Sequence, residues 1–200
     1  MYYLLKSELI SWNGKYIRAI PELRIPCDET IWYTEPSLKL ETFRFRFLVD
    51  GKASFPDNYL VDSVIQLFSN QLINILHEYN LDFESYPAIL IDQKSKKIIQ
   101  KEYRVFRLIR VTDCLDLSRT EIQDFPIKKK IVKLLGQPEY QKKFLDSGIL
   151  MTRIAGFESQ IIIHQELKTI FERKHVTGFR FSIRNLDSTA AFGKNLKFGS

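Results

Sequence analysis

The chain has 200 residues and 23.6 kDa, of which 44% are hydrophobic, with 15 Phe, 9 Tyr and 2 Trp to build a core. Eight Gly and seven Pro stand against roughly 24 expected from average usage, which excludes collagen-like, linker-rich and largely disordered chains. The formal charge of +6 is uneven: residues 1–100 hold 11 basic and 13 acidic side chains, residues 101–200 hold 19 and 11.

The opening MYYLLKSELI has no basic region followed by a long apolar stretch, so it does not read as a secretory signal. Apolar runs such as Ala88–Ile91 and Ile161–Ile163 are far shorter than the roughly 18–20 residues of a membrane span. Cys27 and Cys114 lie 87 positions apart and read as free thiols of a reducing compartment. The expectation is a cytoplasmic protein with no membrane partner.

Along the chain, Tyr2–Leu5 predicts a short strand, and Trp12-Asn13-Gly14-Lys15 a turn before a strand at Tyr16–Ile20. Pro21, Pro26 and Pro36 then punctuate an irregular stretch that carries Trp32 and Tyr33. Leu38–Phe47 alternates with period two: Phe43, Phe45 and Phe47 share one face, Arg44 and Arg46 the other. That FRFRF string has the composition of a nucleic-acid surface, but the alternation separates rings from guanidinium groups and favours core on one side and solvent on the other. Val64–Phe68 predicts a buried strand, Ser69 an N-cap, and Gln71–Tyr79 a helix with Leu72, Ile75, Leu76 and Tyr79 in one stripe.

Tyr86–Ile91 and Ile98–Val111 read as strands around the turn Asp92–Lys97, and Pro138–Leu145 as a short helix opened by its proline. The basic run Lys128–Lys130 with Lys133 lies beside apolar residues, as part of an ordered segment and not a basic tail. Ile149–Ile154 and Gln160–Ile163 are predicted strands, Gln165–Lys174 a helix capped by His164, and Gly178–Ile183 a closing strand. Phe68–Leu72 aligns with Ile163–Leu167 at an offset of 95, as does Ile75-Leu76 with Ile170-Phe171. The fold class is α+β: mixed or antiparallel sheets, two or three short helices, and two similar strand–helix units. One domain over 1–184, or lobes at 1–100 and 101–184, precedes a loosely ordered tail at 185–200.

No phosphate loop, dinucleotide fingerprint, zinc-type histidine pair, C-x-x-C or nucleophile elbow occurs. No catalytic residue, cofactor or metal is therefore expected, and the chain does not read as an enzyme. His164 and His175 are separated by eleven positions, about 16 Å of helical rise, too far to share a metal. Asp113, Asp116, Ser118 and Arg119 form the densest polar group. Its carboxylates could hold a cation or do acid–base work; with no second acidic cluster or histidine nearby, the favoured reading is a turn in which Asp116 and Ser118 bond nearby backbone.

Four segments carry a family resemblance: MYYLLK; VIQLFSNQLINILHEYN followed by FESYPAILI; YRVFRLIRVTDCLDLSRTE, ending in an Asp-x-Ser; and ILMTRIAGFESQIIIHQELKTIFERKHVTGFRF, with its Thr-Gly-x-x-Phe. In this order they resemble the bacterial immunity proteins of polymorphic-toxin systems, the family numbered eleven in the immunity series. His164 stands where that family often has Ser, and the IKKKIVK stretch and the tail fall outside the match. The resemblance implies an α+β inhibitor that neutralises a cognate toxin domain by direct contact, occluding its active site or holding it in an inactive shape. Trp, Tyr and Arg are frequent binding hot spots, so Trp12, Trp32 and Tyr33, with Asp113, Asp116, Ser118 and Arg119, are the candidate contacts. The alternative is a nucleic-acid-binding module that uses the basic C-terminal half.

Overall fold

A six-strand barrel and a five-strand open sheet, packed face to face, organise the computed structural model, which describes residues 1–8, 10–12, 15–23, 29–35, 38–40, 42–61, 65–125 and 130–183. The first half supplies β1 (Tyr2–Ser7), β2 (Ser11–Trp12), β3 (Lys15–Tyr16), β4 (Arg18–Pro21), α1 (Glu29–Thr34), β5 (Phe45–Val49) and β6 (Asn58–Val61). It continues through β7 (Gln66–Ser69), α2 (Asn70–Glu78), β8 (Phe83–Asp92) and β9 (Ile98–Leu108). The barrel closes in the order β4-β5-β8-β9-β7-β6, with β4–β6 and β5–β8 parallel and the other pairs antiparallel. The expected α+β class therefore holds, with a closed barrel that the linear pattern did not announce.

The second half supplies β10 (Val111–Thr112), β11 (Ile122–Phe125), β12 (Lys130–Leu134), α3 (Lys142–Leu145), β13 (Met151–Ile154), β14 (Phe157–His164), α4 (Gln165–Arg173) and β15 (Phe179–Ser182). The open sheet runs β10-β13-β14-β1-β15, while β11 and β12 form a separate hairpin. β1 crosses over to lie between β14 and β15, antiparallel to both. A boundary at residue 100 falls inside β9, and because β1 belongs to the open sheet the two layers do not divide the chain at one point.

Three apolar clusters follow from the period-two burial of these strands. Phe45, Phe47 and Val49 of β5, Leu90 of β8, and Tyr103 and Val105 of β9 fill the barrel together with Trp32. The opposite face of β9, through Phe106 and Leu108, packs with Phe68, Leu72 and Leu76 against Leu5, Ile161, Ile163, Leu167 and Phe171. This cluster joins barrel to sheet and lies under both α2 and α4. On the sheet's far face Tyr2, Leu4 and Ile162 meet Cys114, Leu115, Leu134 and Phe144. Full burial of a Phe or Leu side chain contributes about 1.5–3 kcal/mol, so the second half of β9, from Tyr103 to Leu108 and buried on both faces, is the structural seam of the molecule.

Phe45 and Phe47 are each 1% exposed and sit inside the barrel, so FRFRF is a core strand and not a stacking platform for bases. The strand is shorter than the expected Leu38–Phe47. Leu38, Leu40 and Phe43 are held instead by local bonds, Leu40 N–H to Leu38 O and Phe43 N–H to Leu40 O, while the Tyr86 hydroxyl donates to Leu38 O. Trp32 and Tyr33 likewise belong to α1 and not to an irregular loop. The predicted helix at 138–145 begins only at Lys142. Glu139 is pinned by Thr120 Oγ1 and Asp116 N–H, and Tyr140 pairs with Leu115 in an isolated bridge, which keeps the preceding residues extended.

The offset-95 echo is reproduced in three dimensions. α2 and α4 each span nine residues, both at that offset, with Ser69 and His164 as their extended N-caps. Just past the C-cap of each helix stands a residue of left-handed conformation, Asn80 at φ 50° and His175 at φ 54°. Ser69 pairs with Tyr103 and Gln66 with Phe106, as His164 pairs with Tyr2 and Ile161 with Leu5. In each unit a helix therefore connects two outer strands, and an antiparallel strand lies between them: β9 inside β7 and β8, β1 inside β14 and β15. The inner strand of the second unit comes from the start of the chain.

Thr177-Gly178 stitches the sheet to the barrel. Asp57 accepts from Thr177 N–H, Thr177 Oγ1 and Ser69 Oγ at 3.0, 3.0 and 2.6 Å. Buried Asn58 donates through Nδ2 to Gly178 O at 2.9 Å and through its backbone N–H to Thr177 O. Gly178 has φ +87°, and a Cβ there would stand 2.2 Å from Asn58 O. The Thr-Gly-x-x-Phe segment thus serves a close approach to β6.

Among the described residues, Cys114 is a free buried thiol whose pKa burial pushes up to about 12, so it is no nucleophile at neutral pH. Cys27, Lys128, Lys129 and the tail at 185–200 lie outside the described residues. No described helix is long and apolar enough to cross a membrane.

Candidate partner-binding surface

The seven candidate contacts fall in three places. Trp12 lies on β2, paired with Lys15 of β3 across Asn13-Gly14, which are outside the described residues. The two-residue separation suits a tight hairpin.

Asp113, Asp116, Ser118 and Arg119 follow β10 in a loop that packs on the segment 137–141. Asp116 Oδ1 accepts from Ser118 N–H at 3.1 Å and from Ser118 Oγ at 2.6 Å, and Asp116 O accepts from the N–H groups of Arg119 and Thr120. These are turn contacts. Asp113 accepts from Gln141 Nε2 at 3.3 Å, and the same amide donates to Leu115 O at 2.9 Å. Both carboxylates are thus occupied locally. Among the described residues no group of three or more His, Cys, Asp or Glu side chains could hold a metal.

Arg119 is different. Its side chain is 66% exposed and meets Glu139 at 3.6 Å, an exposed pair worth well under about 1 kcal/mol. It lines a groove of about 380 Å³ together with Met1, Pro138, Tyr140, Leu145 and Ile183. Met1, Leu145 and Ile183 are 67%, 46% and 43% exposed. Below them Tyr2 packs in tilted contact on Phe144 at a centroid distance of 4.4 Å and on Tyr140 at 5.7 Å, which makes the floor aromatic and firm. Burial raises the pKa of both tyrosines, so the floor stays uncharged across the physiological range. Such grouping of apolar side chains is what marks a protein-binding surface.

Trp32 and Tyr33 sit at the other side of the sheet. Trp32 is 2% exposed, an element of the barrel core and not a surface contact. Two buried arginines close the end of its helix: Arg107 donates to Trp32 O and Glu35 O, and Arg153 to Tyr33 O. Guanidinium groups at a helix C-terminus satisfy carbonyls that the helix leaves open. Each also faces a ring, Arg107 at 6.0 Å from Trp32 and Arg153 at 5.9 Å from Tyr33.

Sequence reasoning did not single out Arg107, Arg153, Leu145 or Ile183. A signal existed for Arg107: it shares its parity with Tyr103 and Val105 and lies between the apolar Phe106 and Leu108. Leu145 and Ile183 lie outside long periodic elements and become neighbours only through the fold. Compared with models of known protein families and with curated proteins, the chain matches none.

Proposed function

We propose that this chain is an immunity protein that binds and neutralises a cognate bacterial toxin domain by direct contact. The ordered resemblance of four segments supports the family, and one observation carries the binding surface: Met1, Leu145 and Ile183 stand exposed around a groove with an aromatic floor and Arg119 at its rim. A protein partner that places an apolar anchor in this groove removes those side chains from water, at about 25 cal/mol per Å² of apolar area. Arg119, only loosely held by Glu139, is free to turn to an acidic group of the partner, and such rim charges act mainly on association rate and specificity. A standard interface needs about 800 Å² from each partner. The groove is therefore the centre of the contact, and the exposed loop 113–119 its margin.

The experiment is co-expression with the toxin domain encoded beside this gene, in cells that the toxin alone arrests. Rescue of growth and recovery of a one-to-one complex on co-purification are expected. Arrest despite a folded, abundant chain overturns the reading.

A further inference from the structure

A second cavity, of about 190 Å³, lies between barrel and sheet, with Trp32, Tyr33, Gln66, Arg107, Arg153 and Ser159 on its walls. Its mouth is at exposed Ser159, and its depth at Arg107 and Arg153, which are 2% and 4% exposed. Two guanidinium groups in one small buried space are costly, because each loses hydration and each repels the other. Only Arg107 has a carboxylate partner, Glu84 at 2.8 Å. Among the described residues no ion pair forms at Arg153.

The donor inventory sharpens this imbalance. A guanidinium has five N–H groups. Arg153 places one on Tyr33 O at 2.8 Å and one on Ile109 O at 3.0 Å, and its Nε is buried with no partner at all. Capping carbonyls thus explains part of Arg153 and leaves its in-plane Nε edge unspent. Leaving a buried charged donor unsatisfied is among the more expensive local features a fold can keep. Burial, and then the neighbouring Arg107 charge, lower the Arg153 pKa, while Glu158 and Tyr33 act against them without reversing the direction.

We infer that the cavity between β9 and β13 is a binding site for a small tetrahedral oxyanion of phosphate size, held by Arg107 and Arg153. The guanidinium fork matches phosphate oxygens in geometry as well as charge. Donors stand on several walls, since Gln66 and Ser159 add an amide and a hydroxyl, an arrangement that suits a tetrahedral anion better than a flat carboxylate. The volume admits such an ion and falls short of the roughly 300 Å³ at which drug-sized pockets begin. This site is separate from the groove and does not depend on the toxin reading.

The test uses the whole chain, labelled for observation of arginine side-chain Nε–H signals, titrated with inorganic phosphate against chloride at equal ionic strength. A saturable shift of the Arg153 Nε–H signal with phosphate is expected. With it, the Tm rises by about 3–6 °C when phosphate is near ten times its dissociation constant. Arg153→Met is expected to lose that rise. Should the variant not fold, the wild-type titration decides by itself. No saturable Nε–H shift up to about 20 mM phosphate, an equal response to chloride or acetate, or a phosphate-dependent Tm rise that survives in a folded Arg153→Met, overturns the proposal.

Discussion

The two strand–cap–helix units share length, register and buried stripe, yet they differ at the cap and just after the helix. Ser69 accepts from Leu72 N–H at 3.1 Å and donates to Asp57, so the first unit's cap is part of a network that reaches the sheet. His164 accepts from Glu166 N–H at 3.4 Å through Nδ1, a longer bond made by an ionisable ring. After the helices the first unit continues with Phe83, and the second, at the matching position, has Gly178 against Asn58. Packing makes the units alike; local polar chemistry ties both to the Asp57-Asn58 segment and makes the second sensitive to pH.

Core truncation gives the largest expected effect and tests the likeness itself. Leu72 and Leu167 are both 0% exposed in one shared cluster, so Leu72→Ala and Leu167→Ala should each cost about 3 kcal/mol in urea unfolding. Costs that differ by more than twofold would break the equivalence of the two helices.

Gly178→Ala comes next. Its φ of +87° and the 2.2 Å approach to Asn58 O together should cost at least about 2 kcal/mol, measured by the same unfolding. A loss below 0.5 kcal/mol, roughly that of an ordinary surface change, would mean that this attachment is not close.

The caps separate the units by pH. Ser69→Ala and His164→Ala should each lose about 1 kcal/mol near neutral pH. Burial, and then the charge of the chain's amino terminus, lower the His164 pKa below 6.5, and Glu166 opposes them. The unfolded chain therefore binds the proton first as pH falls, and the His164 contribution, full above pH 6.5, is lost as pH drops from there towards the folded value. Protonation also removes the lone pair that accepts from Glu166 N–H. His164→Asn should flatten the stability difference between pH 7.5 and 5.5, while Ser69→Ala leaves it unchanged; equal slopes in wild type and His164→Asn would refute the assignment.

The smallest effect concerns the contact between the helices. Lys174 Nζ meets Glu78 at 2.7 Å, and both side chains are partly exposed. A double-mutant cycle with Glu78→Gln and Lys174→Met should give a coupling of about 0.5 kcal/mol that fades with salt. A coupling above 2 kcal/mol would show that the pair does more than join two surfaces.

Local chemistry was legible in the sequence, and long-range pairing was not. The stripes of Leu72, Ile75 and Leu76 and of Leu167, Ile170 and Phe171, and the caps Ser69 and His164, can be read from spacing because each involves neighbours on one helix. The barrel cannot, since its closure depends on the parallel pairs Arg18 with Leu60 and Phe45 with Ala88. Nor does anything local in MYYLLKS say that Leu4 will lie between Ile162 and Ser182. α1 is under two turns long, too short for a periodic signal, and it holds its place through arginines 72 to 120 positions away. Of the candidate contacts, the turn-forming role of Asp116 and Ser118 was visible in their type and spacing. The groove beside Arg119 was not, because Met1, Leu145 and Ile183 meet only once β1 has inserted and β15 has paired with it.

The central claim is that this groove seats the toxin domain, and the most direct measurement is calorimetric titration of that domain into the purified chain and its Leu145→Asp variant. A carboxylate placed among Met1, Tyr140 and Ile183 should weaken binding by at least about 30-fold, equivalent to about 2 kcal/mol for a lost central anchor, with the unfolding midpoint of the variant unchanged because Leu145 is 46% exposed. An affinity within threefold of wild type would place the toxin elsewhere and contradict the claim.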